Sequence, residues 1–232
     1  MGYNGTMKLT RFGHSCVLVE TALPERRVAL FDPGVWSEVP LGKLDQLDEI
    51  YITHEHADHC DVSLLLHLRE KFPEVRIMST SAVAAELNKH QVAARDMPSL
   101  NSRFFGSPHE AIAPFGGAPP EQIGVHYLDL FSHPGDSLSF RETCPVLALP
   151  MTGPWGATRD ALALALQLKP TYIVPIHDWF WHDEARSWAY SRLKEVLAEQ
   201  GIAFLPMGPS ESYEIDDSQI GPDHSSPSLV ID

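Results

Sequence analysis

Thr53-His54-Glu55-His56-Ala57-Asp58-His59 is the stretch that decides how this chain reads. It puts three imidazoles and two carboxylates, Glu55 and Asp58, among the six residues from His54 to His59. The whole chain has 12 histidines in 232 residues, so three in one short run is a concentration rather than background. Nitrogen and carboxylate oxygen at this density suit zinc and its divalent neighbours. The bland alternative is a polar surface loop with scattered histidines. What flanks the run argues against it. Residues 49–53, Glu-Ile-Tyr-Ile-Thr, read as a strand that delivers the histidines at its C-terminal end. Asp61 is a good N-cap for a helix over Val62–Lys71, with Leu64, Leu65 and Leu68 as its apolar side and Pro73 as its stop. Side chains two apart on an extended backbone point the same way, so His54 and His56 can grip one metal. After the turn, Asp58 and His59 face a neighbouring position, and each metal needs further ligands from elsewhere.

Around this centre the chain alternates short β-prone runs with helical ones. Residues 7–12, 15–20 and 27–31 read as hairpin strands split by Gly13-His14 and by Pro24-Glu25. Residues 75–79 read as a strand and 81–89 as an alanine-rich helix. Residues 91–122, rich in proline and glycine, read as short strands and a long loop that bears on function. Strands are expected at 123–131, 137–140, 146–149 and 172–176, with edge strands at 203–205 and 212–215. Helices are expected from a Thr158 cap to Leu168 and over 183–200. The class is α/β (α+β): two packed sheets with helices outside. One domain spans residues 1–215, and 216–232 is a polar, loosely ordered tail.

Composition narrows the function. At 44% hydrophobic and 21% charged, the chain has the make-up of a soluble globular enzyme. The formal net charge of −14 repels a phosphate backbone, and no Lys/Arg run is longer than Arg26-Arg27. Nucleic acid is therefore excluded as a partner, and a small-molecule substrate is favoured. No apolar run reaches the length of a membrane span, and residues 1–6 carry neither the basic nor the apolar part of a signal peptide, so a cytoplasmic location is expected. Cys16, Cys60 and Cys144 form no C-x-x-C pair and read as reduced thiols. Cys60, beside the run, is either a small buried apolar residue or a group behind the metal site. The sequence allows a homo-oligomer without requiring one.

The pattern H-x-H-x-D-H resembles the signature of the metallo-β-lactamase fold superfamily. The resemblance extends from residue 7 to about 215 and implies an αββα sandwich of two mixed β-sheets with helices on the outer faces and metals at one sheet edge. It also implies a third histidine, a bridging acid and a final histidine, in that order. His109 in Ser-Pro-His-Glu is the candidate that completes the first site with His54 and His56; its rival is His126, inside a strand pattern. Asp136 in His-Pro-Gly-Asp-Ser matches the bridging aspartate, and it also reads as a turn residue after Pro-Gly. His177 in Val-Pro-Ile-His-Asp would join Asp58 and His59. Within the superfamily the chain is similar to the ascorbate-6-phosphate-lactonase-like branch, on Arg11-Phe-Gly-His14-Ser, Phe31-Asp32-Pro33-Gly34, His133-Pro-Gly-Asp136-Ser and Pro175-Ile-His177-Asp178.

Other residues gather round this set. Asp32 would hold the histidine loop from behind, since a ligating imidazole needs a partner for its other nitrogen; a plain Asp-Pro-Gly turn is the alternative. His14 and His133 stand as proton relays, substrate contacts or buried hydrogen-bonded histidines. Trp155 and the run Trp179-Phe180-Trp181 could wall a cleft or simply pack. Arg95, Arg103 and Arg159 are the nearby candidates for an anionic group on a substrate, with a solvated surface arginine as the alternative for each. His67, His90, His182 and His224 read as helix-surface or tail residues. The expected activity is hydrolysis of a small-molecule ester, lactone or phosphoester by a hydroxide bridging two divalent metals. Zn2+ leads, with Mn2+, Ni2+ and Fe2+ close behind. The catalytic carboxylates are Asp136 and Asp58, with a proton passed by His133 or His14. β-Lactam or phosphodiester hydrolysis on the same fold and non-catalytic metal binding are the competing readings. Redox chemistry at two irons fits less well, because that pattern resembles H-x-E-x-D where this chain has His56.

Overall fold

Alternation of apolar side chains along the strands assigns the layers. The computed structural model describes residues 5–22, 25–114 and 116–216. The chain opens with β1 (Thr6–Arg11), β2 (Val17–Thr21), β3 (Arg27–Phe31) and β4 (Glu49–Tyr51). It continues with α1 (Val62–Lys71), β5 (Arg76–Met78), α2 (Ser81–Lys89), β6 (Ala94–Arg95) and β7 (Ser102–Phe105). Then come β8 (Gly124–Tyr127), β9 (Phe131–His133), β10 (Val146–Pro150), α3 (Thr158–Leu168) and β11 (Tyr172–Ile176). α4 (Asp183–Ala198), β12 (Ala203–Phe204) and β13 (Ser212–Asp216) complete it. One sheet has the order β13-β1-β2-β3-β4-β5-β6 and the other β12-β11-β10-β9-β8-β7.

In β2, Val17 and Val19 enter the layer between the sheets while Leu18 faces outward; in β10, Val146 and Ala148 face inward and Leu147 and Leu149 outward. The inner layer joins Leu9, Phe31 and Tyr51 of one sheet to Val125, Tyr127 and Val174 of the other. Outside the first sheet, Leu18, Leu30 and Ile50 pack with Leu65 and Leu68 of α1 and Val83 and Leu87 of α2. Outside the second, Leu147 and Ile173 pack with Ala161 and Leu164 of α3 and Leu193 and Leu197 of α4. The result is the expected αββα sandwich of two mixed sheets. β3 to β6 run parallel, as do β9 to β12, so the chain leaves β3, β4, β9, β10 and β11 in loops that meet at one edge.

Several local expectations change. The single strand expected at 123–131 is a hairpin: Leu128 and Asp129 adopt φ of 53° and 55°, and β8 and β9 pair antiparallel around them. Residues 137–140 form no strand, because the amides of Leu138 and Ser139 donate to Glu110 Oε1 and Ser137 Oγ instead of a ladder. Thr158 does not cap α3; Ala157 holds that position, and the Thr158 hydroxyl donates to the Met151 carbonyl. Asp216 belongs to β13, while the expected loose tail over 217–232, with His224, lies outside the described residues, as does Pro24. Among the described residues no helix is long and apolar enough to cross a membrane.

Candidate metal centre

The histidine run leaves β4 through Thr53, which is tied to the loop after β3. The amide and hydroxyl of Thr53 both donate to Asp32, at 2.7 and 2.8 Å. Asp32 adopts a left-handed backbone, φ 45°, and Gly34 lies against the backbone of Asp58. A Cβ at Gly34 would stand 1.9 Å from the Asp58 carbonyl, so only glycine permits this approach. Val35 N–H donates to Ala57 O and Asp61 N–H to Pro33 O, which fixes the two loops face to face.

Hydrogen bonds on the far side of each ring settle which nitrogen is left over. Nδ1–H donates from His59 to Asp32 Oδ2 at 2.7 Å, from His109 to the Glu110 carbonyl at 2.6 Å and from His177 to the Thr152 carbonyl at 2.6 Å. His54 Nδ1 lies 3.0 Å from the Thr53 hydroxyl, whose proton goes to Asp32. In the neutral ring each Nε2 is thus a bare acceptor pointing inward. The Nε2 atoms of His59, His109 and His177 and Oδ1 of Asp136 are buried without a hydrogen-bond partner. They converge: His59 Nε2 lies 3.0 Å from Asp136 Oδ1, and His177 Nε2 and His109 Nε2 lie 3.0 and 3.6 Å from Asp136 Oδ2. Unpaired buried acceptors facing one another are costly in a protein without a cation among them.

The convergence forms two groups. Ligand atoms of His54, His56, His109 and Asp136 lie within 4.8 Å of one another, and so do those of His14, Asp58, His59 and His177. Asp136 touches both. Burial alone would raise the Asp136 carboxyl, but His177 and His59 hold it well below the usual carboxylate range. Burial likewise opposes ionisation of Asp58, and His14 and His59 hold it down. Burial pushes His54 well below the usual imidazole range. At His59 burial acts downward too, but Asp136 and Asp32 outweigh it and the ring is raised. Imidazoles and ionised carboxylates are a donor set that suits divalent cations, which would displace the extra proton favoured on the raised His59 ring.

The surrounding shell is specific. Gln122 accepts from the Asp136 amide and donates to Ser107 and Pro134 carbonyls, clamping the Asp136 and His109 loops together. Trp155 donates its indole N–H to Asp136 Oδ2 at 3.2 Å. Arg11, buried, pairs with Asp178 and also donates to the His14 carbonyl; Tyr190 and Arg186 complete that network behind His177. Trp36 stacks on Trp179 at 4.7 Å and stands edge-on to Phe180, while Trp179 and Phe180 are each about half exposed.

The residues proposed for the site can now be placed. His54, His56, Asp58, His59, His109, Asp136 and His177 come together, and Asp32 lies 2.7 Å from His59 Nδ1. His109, not His126, reaches His54 and His56. His126 stacks on Phe105 at 4.1 Å, with Nδ1 at 2.7 Å from Ser132 Oγ. His133 is wholly buried: Nε2–H donates to the Ser15 carbonyl and Nδ1 accepts from Gly135 N–H, so both nitrogens are engaged. Arg159 is exposed and bonded to its neighbour Asp160, Arg103 pairs with Glu142, and Arg95 lies in a surface groove with Arg69 and Arg76. None of the three belongs to either group. Cys60, half-buried with its thiol pushed up to about 12 by burial, packs against the α1 side of the core. Sequence reasoning missed Gln122, Glu110 and Trp36, for which no local signal exists. It also left His14 outside the ligand group, although the Gly13-His14 turn marked the position.

Residues 8–177 match the Beta-lactamase superfamily domain. A Mycobacterium tuberculosis protein, Rv0786c, is 34% identical over 203 residues, covering 82% of this chain and 92% of that protein. Among solved structures, Igni18, a metallo hydrolase from Ignicoccus hospitalis KIN4/I, is similar with a TM-score of 0.67 at 20% identity, over 90% of this chain and 98% of that one. An isothiocyanate hydrolase from Delia radicum gut bacteria is similar with a TM-score of 0.62 at 17% identity, over 89% and 98%.

Proposed function

The chain belongs to the β-lactamase superfamily, and from that premise we propose that it hydrolyses a small ester or lactone at a pair of divalent cations. In this reading His54, His56 and His109 hold one cation, Asp58, His59 and His177 the other, and Asp136 both. The observation that carries it is the set of buried, partnerless acceptors, His59 Nε2, His109 Nε2, His177 Nε2 and Asp136 Oδ1, facing a common space. Bound divalent ions supply Lewis acidity and bring the pKa of water towards neutrality.

The chain's own residues supply the rest. Trp155 fixes the rotamer of Asp136 through Oδ2, so the carboxylate spans the two groups in one orientation. Asp58, with 19% of its side chain exposed, is the acid of the site that reaches solvent and can carry the leaving group's proton outward. The Trp36, Trp179 and Phe180 wall shields the site from water and offers flat apolar faces to the acyl part of a substrate. That wall, together with the placement of Arg95, Arg103 and Arg159 outside both groups, favours a carboxylic ester or lactone over a phosphoester. His133 braces the site in this reading rather than shuttling a proton.

Two measurements test this. Metal analysis after metal-replete purification should give close to two divalent ions per chain, and a content near zero overturns the proposal. Hydrolysis of esters and lactones should exceed that of phosphomonoesters, phosphodiesters and β-lactams. His56→Ala should lower it by at least ~100-fold; unchanged turnover in that variant removes the metal mechanism.

A further inference from the structure

We infer that His14 is a ligand on the Asp58 side of the centre, so that the two cation positions are unequal. The second position is then built for a cation taking five or six ligands, such as Mn2+ or Fe2+, rather than for tetrahedral zinc. The inference rests on the two-cation reading above and goes beyond it, because that reading needs only Asp58, His59 and His177 beside the shared Asp136.

Placement of the ring is the first argument. Gly13 and His14 form the turn between β1 and β2 with φ of 103° and 28°, and the His14 value is one that non-glycine residues seldom adopt. The turn is held from three sides. Cys16 N–H donates to the Gly13 carbonyl, and the His14 carbonyl accepts from both Arg11 and the His177 amide at 3.1 Å. Gly13 packs so closely on the Trp36 carbonyl that a Cβ would stand 2.6 Å from it. This bracing aims a buried imidazole at Asp58, with Nε2 3.1 Å from Oδ2, and its ring lies 4.1 Å from that of His177. The donor atoms of His14, Asp58, His59 and His177 then share one space.

Donor number is the second argument. The first group offers His54, His56, His109 and Asp136. The second offers His14, Asp58, His59 and His177, with Asp136 Oδ1 also 3.0 Å from His59 Nε2. Four donors with room for water match zinc's habit, whereas five donors already exceed a tetrahedron. Geometry and ligand number, more than raw affinity, choose among first-row metals at such sites. With Nε2 on the cation, Nδ1 carries the ring proton, and Trp36, T-shaped to His14 at 4.9 Å, offers an aromatic neighbour for it.

The test titrates metal-stripped full-length protein with Co2+ and Mn2+, followed by calorimetry and visible absorption. Wild type should take two equivalents of Co2+, one giving strong tetrahedral bands and the other the weak bands of higher coordination. His14→Gly, which suits the backbone at that φ, should bind the second equivalent at least tenfold more weakly. Added imidazole should restore it. Unaltered second-equivalent affinity in His14→Gly overturns the inference. Should that variant fail to fold, proton NMR of the dicobalt wild type decides: a sixth hyperfine-shifted imidazole N–H, beyond those of His54, His56, His59, His109 and His177, is expected, and its absence overturns the inference. Wild type that binds fewer than two ions would instead overturn the two-cation reading itself.

Discussion

At the scale of single residues, what separates the histidines is where their second nitrogen goes. Asp32 takes one from His59 and two hydrogen bonds from Thr53, so a wholly buried carboxylate stays ionised: burial opposes this, and His133 and His59 outweigh it. His126 shows the opposite case. Burial, with Arg103 adding to it, lowers its pKa to about 4, and among the described residues no acid faces its Nε2 closer than Glu142 at 3.9 Å. An unfolded histidine titrates near ~6.5. Between those values the unfolded chain binds a proton that the folded one refuses. The His126 contribution to stability is therefore complete above pH ~6.5 and is lost as pH falls towards 4. Urea midpoints measured across that window should fall for wild type and fall less steeply for His126→Gln, which keeps an acceptor for Ser132 but does not titrate. Identical slopes would show that His126 does not titrate differently on folding. Sequence favours His109 over His126 only on the ground that loop ends present ligands more often than strand interiors do. What separates them is that β8 turns His126 into the layer with Phe105, while Glu110 and Gln122 pin the His109 loop to Asp136.

Among elements, α1 is the one most directly joined to the site, since it starts three residues beyond His59. Its N-cap was legible: Asp61 accepts from Ser63 and Leu64 amides at 2.9 and 3.3 Å. Asp61→Ala should cost about 1 kcal/mol and lower Tm by roughly 2–4 °C. Metal content should stay unchanged, because Asp61 touches no ligand; calorimetry with metal analysis checks both. Elements with clean periodicity and punctuation, such as Ser81–Lys89 and Tyr172–Ile176, follow from the sequence to the residue. The β8–β9 turn does not, because Leu128-Asp129 takes left-handed conformations without the glycine or asparagine that usually announces them. The expected strand at 137–140 fails for another reason: Glu110, distant in sequence, claims the Leu138 amide and the neighbouring Ser137 hydroxyl claims that of Ser139.

For the whole molecule, the buried acceptors imply that folding and ion binding are coupled. Chelator-stripped protein should unfold several degrees below the metal-loaded form, since a ligand at 100 times its Kd adds ~2.7 kcal/mol. Differential scanning calorimetry with and without added ion reads this, and equal Tm values would mean that the cluster needs no cation to hold its shape. The net charge of −14 works in the same direction, drawing cations towards the surface. The buried Arg11–Asp178 pair joins residues 167 positions apart, and β13 closes on β1 beyond it. During synthesis, the ribosome therefore releases the histidine run long before its partners from β11 emerge. Until His177 emerges the nascent chain carries an incomplete chelator, and the finished centre marks a polypeptide made at least through β11.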